Sequence, residues 1–117
     1  QPNQDIMNYI KKNKNKISIY NDPTKAVEKA DVIFSDKVIS MNDKVNKKKK
    51  LRDFKNFKIS KSLMKICPKA IFLHCLPRGS EVEENVFKSE QSKVWQQAIN
   101  RVHVQKSILL YCFGKLR

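Results

Sequence analysis

Ala70-Ile71-Phe72-Leu73-His74-Cys75-Leu76-Pro77-Arg78 is the stretch whose reading decides the fold. Ile71, Phe72 and Leu73 form a short continuous run of apolar, β-forming residues bounded by Pro68 and Pro77. A run of that length between two prolines reads as a buried strand, parallel in kind, and is too short for a buried helix. His74 and Cys75 then stand where the strand runs out, and Pro77 and Gly79 turn the chain. In open parallel sheets, ligands bind beyond the carboxyl ends of the strands. A thiol, an imidazole and free backbone carbonyls are therefore expected at a place where a small ligand sits.

Working outward, Val32-Ile33-Phe34 reads as a second buried strand, preceded by a helix that Asp22 caps and Pro23 begins. That helix is expected to run to about Lys29, with Ala26, Val27 and Ala30 inward. Ser60 is placed to cap a short helix over Lys61 to Cys67 ahead of Pro68. This alternation of helix and strand is the pattern of the α/β class. Asp5 to Asn15 reads as a surface helix with an apolar stripe of Ile6, Tyr9 and Ile10. Ile17 to Tyr20 is expected to form a further strand, and Phe57-Lys58-Ile59 a short one. Ser35 to Asp43 should be a loop. Asn46 to Phe54 is expected to be helical, with Val45, Leu51 and Phe54 inward and Lys47 to Lys50 on its solvated side. Glu81 to Phe87 reads as an acidic loop or brief helical turn anchored by Val86 and Phe87. Val94 and Trp95 read as packing residues. A last helix is expected from about Asn100 to Phe113, with a broad apolar face of Val104, Ile108, Leu109, Tyr111 and Cys112, and Gly114 as its stop. The fold class is thus α/β: a partial open parallel sheet flanked by helices, with uncovered edges of the kind that belong to part of a larger domain.

Composition narrows the function classes. At 117 residues and 40% hydrophobic content, the chain can bury a modest core. No apolar run approaches the roughly 20 residues that span a membrane. Two glycines rule out a Gly-x-Gly-x-x-Gly dinucleotide fingerprint. Cys67, Cys75 and Cys112 are odd in number and widely spaced, which argues against a disulfide framework and a zinc site. Cys67 and Cys112 are expected to be reduced, structural thiols. The net charge of +14 raises nucleic-acid binding as an alternative, but only four of the 25 basic residues are arginines. The charge reads mainly as solvated surface. The amino-terminal residues, without a Met or a basic-then-apolar signal pattern, lead us to expect a cytoplasmic piece whose beginning is missing.

His74-Cys75-Leu76-Pro77 resembles the His-Cys-Leu-Pro signature of ornithine carbamoyltransferases, and three further segments match in order. Ser35-Asp36-Lys37-Val38-Ile39-Ser40-Met41-Asn42 is similar to the family's Asp-x-Trp-x-Ser-Met-Gly segment. Arg78-Gly79-Ser80-Glu81-Val82 is similar to its Arg-Gly-x-Glu-Val run. Ala98-Ile99-Asn100-Arg101 resembles its Ala-Glu-Asn-Arg segment. The resemblance runs from Asn21 to Leu110. It implies that residues 1–117 are the C-terminal part of an ornithine-binding domain of Rossmann-like kind. The N-terminal carbamoyl-phosphate domain, with its Ser-x-Arg-Thr and His-Pro-x-Gln segments, is absent from this stretch.

What the resemblance implies for chemistry is transfer of the carbamoyl group of carbamoyl phosphate to the side-chain amine of L-ornithine, giving citrulline and phosphate. Asp36 is then expected to contact the ornithine amines, against the alternative that it caps a loop. Ser40 and Met41 are expected in the mobile ornithine loop; core packing is the alternative for Met41. Cys75 would orient the amine and, helped by Asp36, accept a proton, against a merely buried thiol. The Leu76 carbonyl would accept from the carbamoyl nitrogen. Arg101 would hold the carbamoyl oxygen, against a surface salt bridge near the start of the last helix. His74 is divided between ligand contact and a satisfied structural role. The implied enzyme is a cytoplasmic homotrimer of arginine metabolism with no cofactor and no metal. Putrescine or an acylated ornithine remain alternative acceptors, and a decayed gene product without activity is a further alternative. Three positions depart from the family pattern: Val38 for Trp, Asn42 for Gly and Ile99 for Glu. Val38 removes an aromatic support, and Ile99 a carboxylate that would position Arg101.

Overall fold

The computed structural model describes residues 3–14, 16–39 and 46–115. Two strands, β1 (Val32–Ser35) and β2 (Ile71–His74), pair in parallel with Ile33 opposite Phe72 and Ser35 opposite His74. Parallel neighbours need a long crossover. Here it contains α3 (Lys47–Asp53), a 3₁₀ turn (Lys55–Phe57) and α4 (Lys61–Ile66). Before β1 come α1 (Gln4–Lys12) and α2 (Pro23–Val27); after β2 come α5 (Glu84–Phe87) and the long α6 (Val94–Cys112). The α/β class expected from the sequence is the class observed.

β2 is the centre of this arrangement. β1 pairs along one edge. Along the other, the Phe72 amide donates to Gln91 O at 2.7 Å and the Lys93 amide to Phe72 O at 2.9 Å. Phe72 is wholly buried, with Ile33, Met64, Val86 and Val94 in the same core. The Gln91 side-chain amide reaches back to the carbonyls of Cys67, Pro68 and Ala70, tying down the turn that launches β2. These are backbone groups that a buried turn must pair somewhere. The caps at Asp22 and Ser60 follow expectation: Asp22 accepts from the Thr24 amide at 2.9 Å and Ser60 from that of Leu63 at 3.2 Å. The structure adds a third, Asn46, which accepts from the amides of Lys48 and Lys49.

Several expectations are corrected. Residues 17–20 form no strand; they find no pairing partner among the described residues, and Ile19 and Tyr20 are exposed. α2 stops at Val27, short of Lys29, which takes a left-handed conformation with φ 63°; Ala26 is exposed. β1 is buried on one face only: Ile33 is covered, whereas Phe34 is 57% exposed, because nothing among the described residues packs over its outer face. The Phe57–Ile59 strand is a 3₁₀ turn followed by a single bridge between Ile59 and Val82. In α3, Leu51 and Phe54 are exposed rather than inward, and Val45 lies outside the described residues. The Ile6 and Tyr9 stripe of α1 is likewise exposed. α6 begins at Val94, well ahead of Asn100, so Trp95 is a helical residue on a mostly exposed helix. Val94 is buried, but Trp95 is 62% exposed, with its ring in an edge-to-face contact with Phe87. The apolar face of α6, from Ile99 to Tyr111, is uncovered, and Cys112 is exposed rather than structural.

Candidate functional site

The register of the two strands builds the site. Ser35 and His74 are paired, so the next residues, Asp36 and Cys75, leave the sheet side by side at its carboxyl end. The Cys75 thiol donates to Asp36 Oδ1 at 2.7 Å, joining residues 39 apart in sequence. The same oxygen accepts from the Lys37 amide at 2.6 Å. The two hydrogen bonds, first that from Cys75, hold the Asp36 carboxyl below the usual carboxylate range. Reciprocally, the Asp36 contact and then burial push the Cys75 thiol up. Asp36 is therefore the charged member and Cys75 the protonated one, which turns the expected proton acceptor into a donor while Asp36 is ionised.

The signs of these shifts set a pH window. Asp36's contribution is present above the unfolded-state carboxylate range and lost as pH falls through its lowered value. Cys75's is present below the ordinary thiol range and lost as pH rises through its raised value. Replacing Asp36→Asn removes the charge that opposes thiolate formation. The midpoint of Cys75 alkylation against pH, followed by mass spectrometry of the labelled peptide, should then move down toward the ordinary thiol range. A midpoint that stays where it was would contradict this account of the pair.

α6 supplies the facing wall. The Gln97 side chain accepts from the His74 amide at 3.1 Å, pinning the helix to the end of β2. Arg101 follows one turn later on the same side of the helix. His74, Cys75, Leu76, Gln97, Ala98 and Arg101 together line a cleft of about 420 Å³. Asp36 lies on a neighbouring cleft of about 370 Å³ with Phe34, Val38, Lys50 and Phe57, so it stands between the two spaces. Arg101 is exposed, and no carboxylate pairs with it among the described residues. The apolar Ile99 beside it supplies no carboxylate. Because α6 starts at Val94, Arg101 sits two turns inside the helix, beyond the reach of its amino-terminal dipole.

His74 is structural in its contacts. Its ring is buried, with Nε2 2.9 Å from Glu81 Oε1. Although it lines the cleft, its Nδ1 is buried and has no hydrogen-bond partner among the described residues. Thus Asp36, Cys75, Leu76 and Arg101 converge, His74 stands behind them, and Ser40 and Met41 lie outside the described residues. Gln97 and Glu81 are participants that the sequence reading passed over. The four-residue spacing of Gln97 to Arg101 is a signal only in a helix that begins as early as Val94. Lys47, Lys48 and Lys49 are exposed on α3, as a solvated helix face. Among the described residues no group of His, Cys, Asp and Glu is arranged to hold a metal ion, and no helix is long and apolar enough to cross a membrane.

A family model described as "Aspartate/ornithine carbamoyltransferase, Asp/Orn binding domain" matches residues 1–112. The ornithine carbamoyltransferase of Ruthia magnifica subsp. Calyptogena magnifica is 44% identical over 114 residues, covering 95% of this chain and 37% of the relative. That of Methanocorpusculum labreanum is 42% identical over 113 residues, covering 94% and 37%. The solved ornithine carbamoyltransferase from Pyrococcus furiosus superposes with a TM-score of 0.81 at 35% identity, over 100% of this chain and 40% of that one. The chain therefore spans well under half the length of the relatives it matches.

Proposed function

Because the chain belongs to the aspartate/ornithine carbamoyltransferase family, by its Asp/Orn-binding domain, we propose that it carries the acceptor-amine half of an ornithine carbamoyltransferase site. The observation that carries this reading is the Cys75–Asp36 contact across adjacent strand ends, beside the cleft that holds Arg101. An alkylamine is almost wholly protonated at neutral pH, so the site must attract a cation and then help it lose a proton. Asp36, anionic and set between two clefts, does the first and receives the proton. Cys75 orients the amine through its contact with the same carboxylate. The freed amine nitrogen bonds to the carbamoyl carbon as the bond from that carbon to the phosphate oxygen breaks, and phosphate departs with the electron pair. Arg101 faces the carbamoyl oxygen as negative charge grows there, and the Leu76 carbonyl accepts from the carbamoyl nitrogen. Ser40 offers a hydroxyl for the substrate and Met41 an apolar side chain for its aliphatic stem; both lie outside the described residues.

In this reading residues 1–117 are the C-terminal part of the ornithine-binding domain, and the carbamoyl-phosphate domain is supplied by residues outside them. The coverage of 37% of a relative supports this division. The complete enzyme would act in arginine metabolism in the cytoplasm, as a homotrimer without metal or organic cofactor.

Calorimetric titration of the chain with L-ornithine, putrescine, N-acetylornithine and L-aspartate tests the reading. L-Ornithine should bind saturably and best, and Asp36→Ala should weaken it by at least about tenfold, the loss of one charge-assisted hydrogen bond. The 117-residue chain mixed with carbamoyl phosphate and ornithine should make no citrulline. Preference for another amine, or binding indifferent to Asp36, would overturn the acceptor assignment. Citrulline formation would overturn the division between domains.

A further inference from the structure

Glu81 is a buried carboxylate for which the chemistry above has no use, and its surroundings are specific. It is 6% exposed, and its backbone is fixed by the Ile59 amide, which donates to Glu81 O at 2.9 Å. One carboxylate oxygen, Oε1, lies 2.9 Å from His74 Nε2 and accepts from the Gly79 amide at 2.6 Å. Burial alone would push the Glu81 carboxyl up. The hydrogen bonds from Gly79 and His74 outweigh it and hold the group below the usual range. An ionised carboxylate only accepts, so His74 carries its proton on Nε2.

The two donors flank Cys75-Leu76-Pro77-Arg78, one on each side. Glu81 thus joins the end of β2 to the residue that follows the loop, and fixes both feet of the segment that bears the thiol. Arg78 is held separately, by an ion pair with Glu84 and by its guanidinium 4.9 Å from the Phe87 ring centre. Gly79 lets the Glu81 carboxylate sit where it does: a Cβ there would come 2.5 Å from Glu81 Oε2 and force that carboxylate to shift.

We propose that Glu81 is a positioning residue for the acceptor site, which sets the Cys75 thiol against Asp36 by clamping His74 and Gly79 on either side of the loop. Its functional meaning rests on the acceptor-site reading; its geometry does not.

The test uses iodoacetamide labelling of the chain across pH, with Cys67, Cys75 and Cys112 read separately by peptide mass spectrometry. Buried Cys67 reports global opening, and exposed Cys112 is the internal reference. Two variants release the clamp in different ways. Glu81→Ala removes the carboxylate. Gly79→Ala keeps every polar group but displaces the Glu81 carboxylate, and it decides the matter if Glu81→Ala does not fold. Each should lower the midpoint of Cys75 labelling and raise its rate at pH 8 roughly threefold or more as the Asp36 contact loosens. Cys67 should stay protected. Glu81→Gln retains an acceptor oxygen for both donors and should keep the wild-type profile. A Cys75 profile unchanged in both disrupting variants would overturn the proposal. So would Cys67 opening in step with Cys75, which would make Glu81 a determinant of folding alone. No substrate enters this assay, so its failure and a failure of ornithine binding are read independently.

Discussion

Arg101→Ala, in a chain that also carries the carbamoyl-phosphate half, should lower citrulline formation by about 10²–10³-fold, the cost of removing one donor aimed at developing negative charge. The loss should fall on kcat more than on the KM for ornithine, because the proposed contact is to the carbamoyl oxygen and strengthens only as charge builds there. The thermal midpoint should hardly move, since Arg101 is exposed on a helix and forms no ion pair among the described residues. Arg101→Lys should recover only part of the rate: an ammonium supplies the charge but not the planar fork. Equal losses in ornithine affinity and turnover would assign Arg101 to holding ornithine instead.

Phe72→Ala should have the largest effect on the fold. Phe72 is fully buried at the middle of β2, and both of its backbone hydrogen-bonding groups pair with the segment that leads into α6. Truncating a buried Phe costs about 3–5 kcal/mol, from lost transfer energy and the cavity left behind. Domains have only about 5–15 kcal/mol to lose. Equilibrium urea unfolding should therefore show a large drop in midpoint, with much of the variant unfolded without denaturant. The site should fail with it, since Phe72 lies two residues before His74 on the strand that delivers Cys75. A midpoint shift of under about 1 kcal/mol would mean that the cavity collapses onto its neighbours.

The parts of the fold that were legible in the sequence depend on local signals. Asp22 and Ser60 cap helices with short-range hydrogen bonds that their residue types announce, and the apolar run of β2 needs only its own length and its flanking prolines. The misread parts depend on partners distant in sequence. Ile17 to Tyr20 has the alternation of a strand but meets no neighbour to pair with among the described residues. The face of α6 has the spacing of a core helix, yet its side chains remain uncovered. Periodicity states what a segment can bury, not whether a covering surface is present. The same division holds for the site. Asp36, Cys75 and Arg101 were found through the family resemblance; the contact between the first two follows from register, which no local pattern displays. Glu81 was overlooked because an acidic residue in a polar loop looks like ordinary surface. Only its tertiary partners, His74 and Gly79, make it otherwise.

The long excursion between β1 and β2 divides the chain by its tolerance of change. The Asp36–Cys75 contact closes a separation of 39 residues. Doubling such a loop adds only about 0.6 kcal/mol to its closure entropy. A shift of one residue in β2, by contrast, turns Cys75 to the opposite face of the sheet and Leu76 into its place. Lengthened or more lysine-rich versions of α3, the part of the crossover with no buried residue, should thus be nearly neutral in their effect on the site, whereas a single inserted or deleted residue between Ala70 and Cys75 should abolish it. The evolutionary freedom of the crossover lies in α3, and the rigidity of the site lies in the phase of one short strand.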